Sequence, residues 1–232
     1  MRGLQSTPLH PQWHAHRGSA AKLRMLAREA SGRVLDLGAA DGWARAHVPN
    51  ASDYVSLDYP ATAVALYGVR PDIFGTATCL PFRDASFATV LLLDVLEHVP
   101  DPESALAEVA RVLAPGGRLL LTVPFLYPIH DDPYDFQRYT RNGLKVVLER
   151  AGMRVEELQS HGHAVEPAAL AANLALTKGV LDAARERRPY AIVGLLLPLW
   201  VPLCNVLSWC VARVAPDDGF MPLGYSVVAT KS

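Results

Sequence analysis

The stretch VLDLGAADG, Val34 to Gly42, followed by SLD, Ser56 to Asp58, decides the fold. It reads as an apolar strand, a tight turn of small residues and a helix start. An acidic residue follows about 20 positions after the turn, as a nucleotide-type α/β unit requires. Two residues then discriminate between ligands. Asp36 sits in the strand end, and Asp41 sits where the helix begins. A dinucleotide lays its anionic pyrophosphate on that helix N-terminus, and a carboxylate there repels it. S-adenosylmethionine carries no phosphate but does carry a sulfonium and an ammonium. Carboxylates lower the energy of such a cation, so the expected chemistry is methyl transfer.

Composition bounds the alternatives. A chain of 232 residues, half of them hydrophobic, fits one α/β domain of residues 1–232 with an insertion. The divisions expected are an N-terminal arm and helix (1–30), a cofactor-binding core (31–160), an apolar helical insertion (161–222) and a last strand (223–232). The formal net charge of −1 comes without a basic block, which disfavours nucleic acid as a main partner. Cys79, Cys204 and Cys210 have no metal-ligand spacing and read as free thiols in a reducing cytoplasm. The first residues lack an apolar run, so no signal peptide is expected. His10, His14 and His16 read as part of a polar, partly mobile arm.

Periodicity supplies the elements. Ser19 to Ala30 reads as a helix with Leu23, Leu26 and Ala27 on one face. Strands are expected at Arg33–Leu37, Tyr54–Asp58, Ile73–Thr76, Phe87–Asp94, Arg118–Pro124, Met153–Ser160 and Gly224–Lys231. Gly42–His47 is expected to open a helix, and Ala61–Val69 to form a short helix or loop. Pro102 to Leu113 reads as an amphipathic helix with Ala105, Leu106, Val109 and Val112 inward. Pro115-Gly116-Gly117 reads as a stop and turn. Thr140 to Ala151 is a helix with Thr140 as N-cap and Gly152 as C-cap. The alternation predicts a Rossmann-like, doubly wound α/β sheet of seven strands.

From Val34 to Phe125 the chain resembles the class I S-adenosylmethionine-dependent methyltransferases. The segment LPFRDASFATVLLLDVLEHVPDPESALAEVARVLAPGGRLLLTVPF, Leu80 to Phe125, is similar to the middle of their small-molecule branch. A second segment, IHDDPYDFQRYT, Ile129 to Thr140, resembles a bacterial subset of that branch and says little about substrate. The resemblance implies S-adenosyl-L-methionine as cofactor. It places Asp36, Gly38, Ala39 and Gly42 in the loop under its methionine part, and Asp58, with Tyr59 beside it, on the ribose hydroxyls. It places Thr78, Cys79 and Leu80 around the adenine, and Asp94 and Val95 beside the cofactor in the crevice. Ala40 stands where the family often has glycine, and Thr76 where many relatives carry aspartate.

Methyl transfer from a sulfonium is an in-line displacement in which the protein supplies proximity and orientation. An oxygen nucleophile also needs a base. The candidates follow the fifth strand: His130, Asp131, Asp132 and Asp135, with Tyr127, Tyr134 and Tyr139. His130 comes first, as the residue type that titrates near neutral pH, and Asp135 is the other residue expected to be catalytic. Arg138 is expected to pair with Asp135 or Asp132 and fix the loop, and no metal is expected at His130, Asp131, Asp132 and Asp135. Arg111 is expected to form salt bridges rather than bind a ligand.

Ala191 to Ala212 contains no charged residue. Length and hydropathy make it a transmembrane candidate, yet one crossing would strand the last strand on the wrong side of the bilayer. Three readings stay open: a lid over the acceptor, a homodimer surface, or a monotopic anchor at the inner membrane face with Lys178, Arg185, Arg187 and Arg188 near lipid headgroups. The expected function is therefore methyl transfer to a small, hydrophobic or lipid-linked acceptor, most simply on oxygen. The rivals are a non-catalytic scaffold that keeps the fold, and a nicotinamide-dependent oxidoreductase, which Asp41, Ala40 and Trp43 oppose.

Overall fold

The computed structural model describes residues 2–217 and 219–232, without the side chains of residues 2, 3, 18–23, 26 and 27. The expected apolar face Leu23, Leu26 and Ala27 therefore lies outside the described residues. The chain divides into two compact units. A sheet unit comprises Ala21–Phe125, Ile129–Gln159 and Tyr225–Ser232, and a helical unit comprises Met1–Ala20, Leu126–Pro128 and Ser160–Gly224.

In chain order the elements are α1 (Arg2–Gln5), α2 (Trp13–Glu29), β1 (Ser31–Leu37), β2 (Asn50–Asp58), α3 (Pro60–Ala65), β3 (Ile73–Phe74), β4 (Phe87–Leu93), α4 (Pro102–Val112), β5 (Leu113–Pro124), α5 (Arg141–Arg150), β6 (Met153–His161), α6 (Val165–Arg185), α7 (Leu197–Val214) and β7 (Gly224–Lys231). Short 3-10 segments occupy Trp43–His47, Leu96–His98 and Pro189–Leu196. The seven strands form one sheet in the order β3-β2-β1-β4-β5-β7-β6. The pairs β1–β2, β1–β4, β2–β3 and β4–β5 are parallel.

Strand alternation sends successive side chains to two separate cores. Leu35, Val90, Leu92, Leu119, Leu121 and Val227 join one cluster with Leu106, Val109 and Val112 of α4 and Leu144 and Leu148 of α5. Val34, Leu91, Leu120 and Val228 join the other with Met25, Ala44 and Val48. The inward face of α4 is buried as its spacing predicts: Ala105, Leu106, Val109 and Val112 are all fully buried. Each of its larger aliphatic side chains contributes about 1.5–3 kcal/mol. Asp101 caps α4 by accepting from the Ser104 N–H at 3.1 Å, and Thr140 caps α5 by accepting from the Gly143 N–H at 3.1 Å.

Three expectations are corrected. Gly42–His47 does not open an α-helix; Trp43–His47 is a single 3-10 segment. Pro49 follows closely, and the residue before a proline is pushed out of the helical region. Pro115-Gly116-Gly117 follows the end of α4 but is not a turn ahead of a strand that starts at Arg118; β5 starts at Leu113, and the triplet bulges within it. Phe87 pairs with Leu113 while Thr89 pairs with Arg118, so the extra residues loop out, with Gly116 at φ 71°. The N-terminal arm is packed rather than loose. Trp13 and His14 are buried, and the His14 ring lies 2.8 Å from the Ser208 hydroxyl of α7 and 3.3 Å from Glu166 of α6.

Candidate functional site

The parallel strands β1, β2 and β4 end together, and the loops beyond them meet one another. After β1 the chain turns through Gly38, whose N–H donates to the Leu57 carbonyl at 2.8 Å. Gly38 has φ 71°, and a Cβ there would meet a Val95 methyl at 2.3 Å. The loop and Val95 are thus in contact, and only glycine fits between them. Ala40 continues the turn at φ 45°, a left-handed conformation that costs a residue with a Cβ about 1–2 kcal/mol. What holds it is Asp58, at the end of β2. Its Oδ2 accepts from the Ala40 N–H at 2.8 Å and its Oδ1 from the Tyr59 N–H at 2.7 Å.

Asp36 lies beneath the turn and is almost fully buried. It accepts a hydrogen bond from the Tyr54 hydroxyl. Burial pushes its carboxyl up to about 7, and the neighbouring charge of Asp58 adds to the rise against the Tyr54 hydrogen bond. A cation brought to this loop would reverse that shift. Asp94, just past β4, is exposed at φ 55°. Its N–H donates to the Thr122 carbonyl at 2.9 Å and its Oδ1 accepts from the Thr122 hydroxyl at 2.8 Å. Thr122 of β5 thus fixes Asp94.

The loop after β3 closes the third side. The Gly75 N–H donates to the Asp58 carbonyl at 3.0 Å, bringing Thr76–Leu80 to the strand ends. The Thr78 hydroxyl lies 3.0 Å from that of Thr76, and the Cys79 N–H donates to the Thr76 carbonyl at 3.2 Å. Leu80 differs from its two neighbours. Its side chain is buried in the core, and its N–H donates to Glu108 at 2.7 Å. Arg111 clamps the same loop, donating to the carbonyls of Leu80 (3.0 Å) and Phe82 (2.8 Å) while paired with Glu108 and Asp84. That is the salt-bridging role expected of it.

The strand ends therefore bring together a glycine turn closed on Val95, a buried carboxylate beneath it and a second carboxylate at the end of β2. Residues 35–121 match the methyltransferase-domain family. That match takes in less than half of the chain, and the sheet around it has the fold of a solved methyltransferase-like protein from Bacillus halodurans (21% identity, TM-score 0.55). The match implies S-adenosylmethionine as cofactor, and the residues present suit it: the turn leaves no room for a Cβ at Gly38, and Asp36 and Asp58 are buried carboxylates that a cationic nucleoside would favour.

A demethylmenaquinone methyltransferase from Renibacterium salmoninarum is 38% identical over 114 residues, covering 45% of this chain and 48% of that protein. The O-methyltransferase rstn1 from Aspergillus nomiae is 30% identical over 147 residues, covering 54% of this chain and 65% of that protein. The chain spans about half the length of the curated relatives it matches. Among solved structures, the [4+2]-cyclase SpnF shares the fold with a TM-score of 0.57 at 20% identity, covering 94% of this chain and 82% of that one.

Beside the strand-end loops runs the segment from Ile129 to Thr140. It is tied to the strand-end loops at several points. The Phe136 N–H donates to the Glu97 carbonyl at 2.9 Å, the His98 ring lies 2.8 Å from the Tyr134 carbonyl, and the Tyr67 hydroxyl donates to Asp131 at 2.5 Å. Tyr134 meets Tyr59 edge-on, with ring centroids 6.3 Å apart. His130, the expected base, is partly exposed. Its Nδ1 lies 3.3 Å from Oδ2 of Asp135, and its backbone N–H donates to the same oxygen at 3.0 Å.

Asp135 is placed differently from expectation. Its side chain is 2% exposed and held by both Arg138 nitrogens, at 2.5 and 2.7 Å. That ion pair lowers its carboxyl to about 2, with the His130 N–H adding to it against the cost of burial. Asp135 is thus a fixed anion that positions His130, and it cannot take a proton near neutral pH.

Two further residues complete the surroundings of His130. Glu97, fully buried, and His98 follow β4 and meet His130. The His98 and His130 rings pack edge to face at 4.7 Å, and ligand atoms of the three residues all lie within 4.8 Å of one another. Two imidazoles and a carboxylate are a donor set a divalent transition ion accepts. Only their convergence in three dimensions reveals it, since 32 positions separate His98 from His130. Among the described residues, Asp131 and Asp132 do not join this group.

Proposed function

We propose that this protein transfers a methyl group from S-adenosylmethionine to a hydroxyl of a small, hydrophobic acceptor. The observation that carries the reading is the placement of His130, backed by the anionic Asp135, on the segment whose Tyr134 packs against Tyr59 at the end of β2. When bound, the cofactor supplies an electrophilic methyl on a sulfonium that departs as a neutral thioether.

The chain's own residues do the rest. Asp58 and Asp36 hold the nucleoside, with Asp36 ionised opposite positive charge. His130 takes the acceptor's hydroxyl proton as the new oxygen–carbon bond forms, leaving an imidazolium. Asp135 stabilises that imidazolium and, through the Arg138 pair, keeps the ring in place. Tyr59, Tyr67 and Tyr134 line the approach with aromatic surface suited to a ring-bearing acceptor. The naming of a demethylmenaquinone methyltransferase and an O-methyltransferase among the relatives supports an acceptor of that kind.

The test is calorimetric titration with S-adenosylhomocysteine, then transfer of labelled methyl to alkylated quinols and phenols. We expect saturable binding in the wild type and in His130→Asn alike. Transfer in His130→Asn should fall roughly 10²–10⁴-fold, the usual weight of a general base. Undiminished transfer by that variant removes His130 from the mechanism, and absent binding removes the reading altogether.

A further inference from the structure

In the helical unit, α7 is inverted with respect to water. Its buried residues are Val201, Asn205 and Ser208, at i, i+4 and i+7 on one face. Asn205 is fully buried. It accepts from Nδ2 of Asn173 in α6 at 2.9 Å and donates to the carbonyls of Pro8 (2.7 Å) and His10 (3.0 Å). Ser208 bonds to His14 on the same face. The opposite face is apolar and bare: Leu199 is 71% exposed, Leu203 59%, Leu207 60% and Val214 84%. The preceding segment Pro189–Leu196 has no buried residue, with Ile192 and Leu195 more than 70% exposed.

A helix that meets water does the reverse, burying its apolar stripe and exposing its polar one. Polar side chains joining helices on the inside, with aliphatic ones outside, is the arrangement of helices whose solvent is hydrocarbon. We infer that residues 189–214 insert into one leaflet of a lipid bilayer and anchor the protein there as a monotopic membrane protein.

Three observations fix the mode. Among the described residues, Pro189–Val214 is the one stretch long and apolar enough to cross a membrane, with a mean hydropathy of 2.0 and 17% of it buried. β6 precedes it and β7 follows it, and the two are neighbours in one sheet. A single crossing would separate them, so the segment enters and leaves by the same leaflet. Prolines 189, 198 and 202 break it into a 3-10 segment and a helix rather than one straight rod.

The ends carry the charges an anionic surface attracts. Exposed Arg185, Arg187 and Arg188 precede the segment, outnumbering Asp182 and Glu186. At the far end Arg213 lies over the Trp209 ring at 3.4 Å, an aromatic–basic pair of the interfacial kind. Headgroup contact through these arginines and acyl contact through the leucines then act together.

The test is flotation of the full chain with vesicles of phosphatidylcholine alone and with phosphatidylglycerol added. We expect binding to both, stronger with the anionic lipid. The triple variant Leu199→Glu, Leu203→Glu, Leu207→Glu should bind at least tenfold less, while its affinity for S-adenosylhomocysteine stays unchanged. Because that affinity is read separately, failure here is distinct from failure of the methyltransferase reading. A second measurement avoids the charged variant. Bromine-labelled acyl chains should quench wild-type tryptophan fluorescence and quench Trp200→Phe clearly less. Equal vesicle binding by the triple variant, no quenching difference, or a lipid-indifferent dimer that the triple variant dissolves would overturn the proposal, the last assigning this face to a second copy.

Discussion

The two units handle polarity in opposite ways. In the sheet unit, aliphatic side chains fill both faces of β1, β4 and β5, and the carboxylates gather at the strand ends. In the helical unit, two asparagines and a serine are buried, and leucines face out. The first arrangement is that of a protein folding in water around a polar ligand. The second makes sense only if part of the surface is covered by something apolar. On the two proposals above, cofactor chemistry and attachment rest on different residues, so perturbing one set should leave the other untouched.

The largest effect we expect is at Asp58. In Asp58→Ala the N–H groups of Ala40 and Tyr59 lose their acceptor, and the ribose loses its own. Hydrogen bonds to a charged group are worth about 1.5–3 kcal/mol each, so affinity for S-adenosylhomocysteine should drop by about 100-fold or more. Titration calorimetry reads this directly, and vesicle binding by the same variant should not change. A joint loss would mean the two units do not act independently.

Next is Asn205→Ala, the converse test. It deprives the Asn173 amide and the Pro8 and His10 carbonyls of their partner inside the helical unit. A buried group left unsatisfied costs about 1–3 kcal/mol. The expected outcome is a lower denaturant midpoint for the helical signal with cofactor affinity retained. An unchanged midpoint would show that the polar interior contributes nothing to that unit's stability.

Asp36 makes the sheet unit sensitive to pH. Its folded-state value of about 7 stands above the unfolded value of about 3.9. Folding therefore takes up a proton between those values. Stability from this group is greatest below pH 4, declines as pH rises to 7 and is level above it. Cofactor binding has the opposite sign, because the ammonium favours the carboxylate and expels the proton. Affinity should weaken as pH falls below 7, approaching tenfold per pH unit. Titrations in buffers of differing ionisation enthalpy should count about one proton released below pH 7, and Asp36→Asn should abolish the dependence. A flat profile in the wild type would show that Asp36 does not face the cofactor's charge.

Legibility in the sequence differed between the units for the same reason. The carboxyl ends of β1, β2 and β5, the α4 face and the Thr140 cap rest on local spacing, and the structure shows them as read. Asp36, Gly38 and Asp58 were visible because the turn they build is contiguous. The polar interior of α7 was hidden: in AIVGLLLPLWVPLCNVLSWCVA nearly every position is apolar, so no period stands out. Only the partners of Asn205 and Ser208, nearly 200 positions away in the N-terminal arm, show which face is inside. The packing of His14 was missed for the same reason, as was the meeting of Glu97 and His98 with His130. Asp135 looked like a base because its residue type allows it, and Arg138 decides otherwise.

The smallest expected effect is the most local. Ala40 is held at φ 45° by the hydrogen bond from its N–H to Asp58. Glycine relieves the left-handed strain of about 1–2 kcal/mol but adds freedom to the unfolded chain, at about 0.5–1 kcal/mol. Ala40→Gly should therefore stabilise the sheet unit by up to about 1 kcal/mol, a rise of about 2–4 °C in Tm. The N–H to Asp58 survives the change, so cofactor affinity should hold or fall only slightly as the turn loosens. Destabilisation would mean that the Ala40 methyl makes packing contacts worth more than the strain. A large loss of affinity with stability gained would mean that the strained turn is kept because its rigidity serves the cofactor.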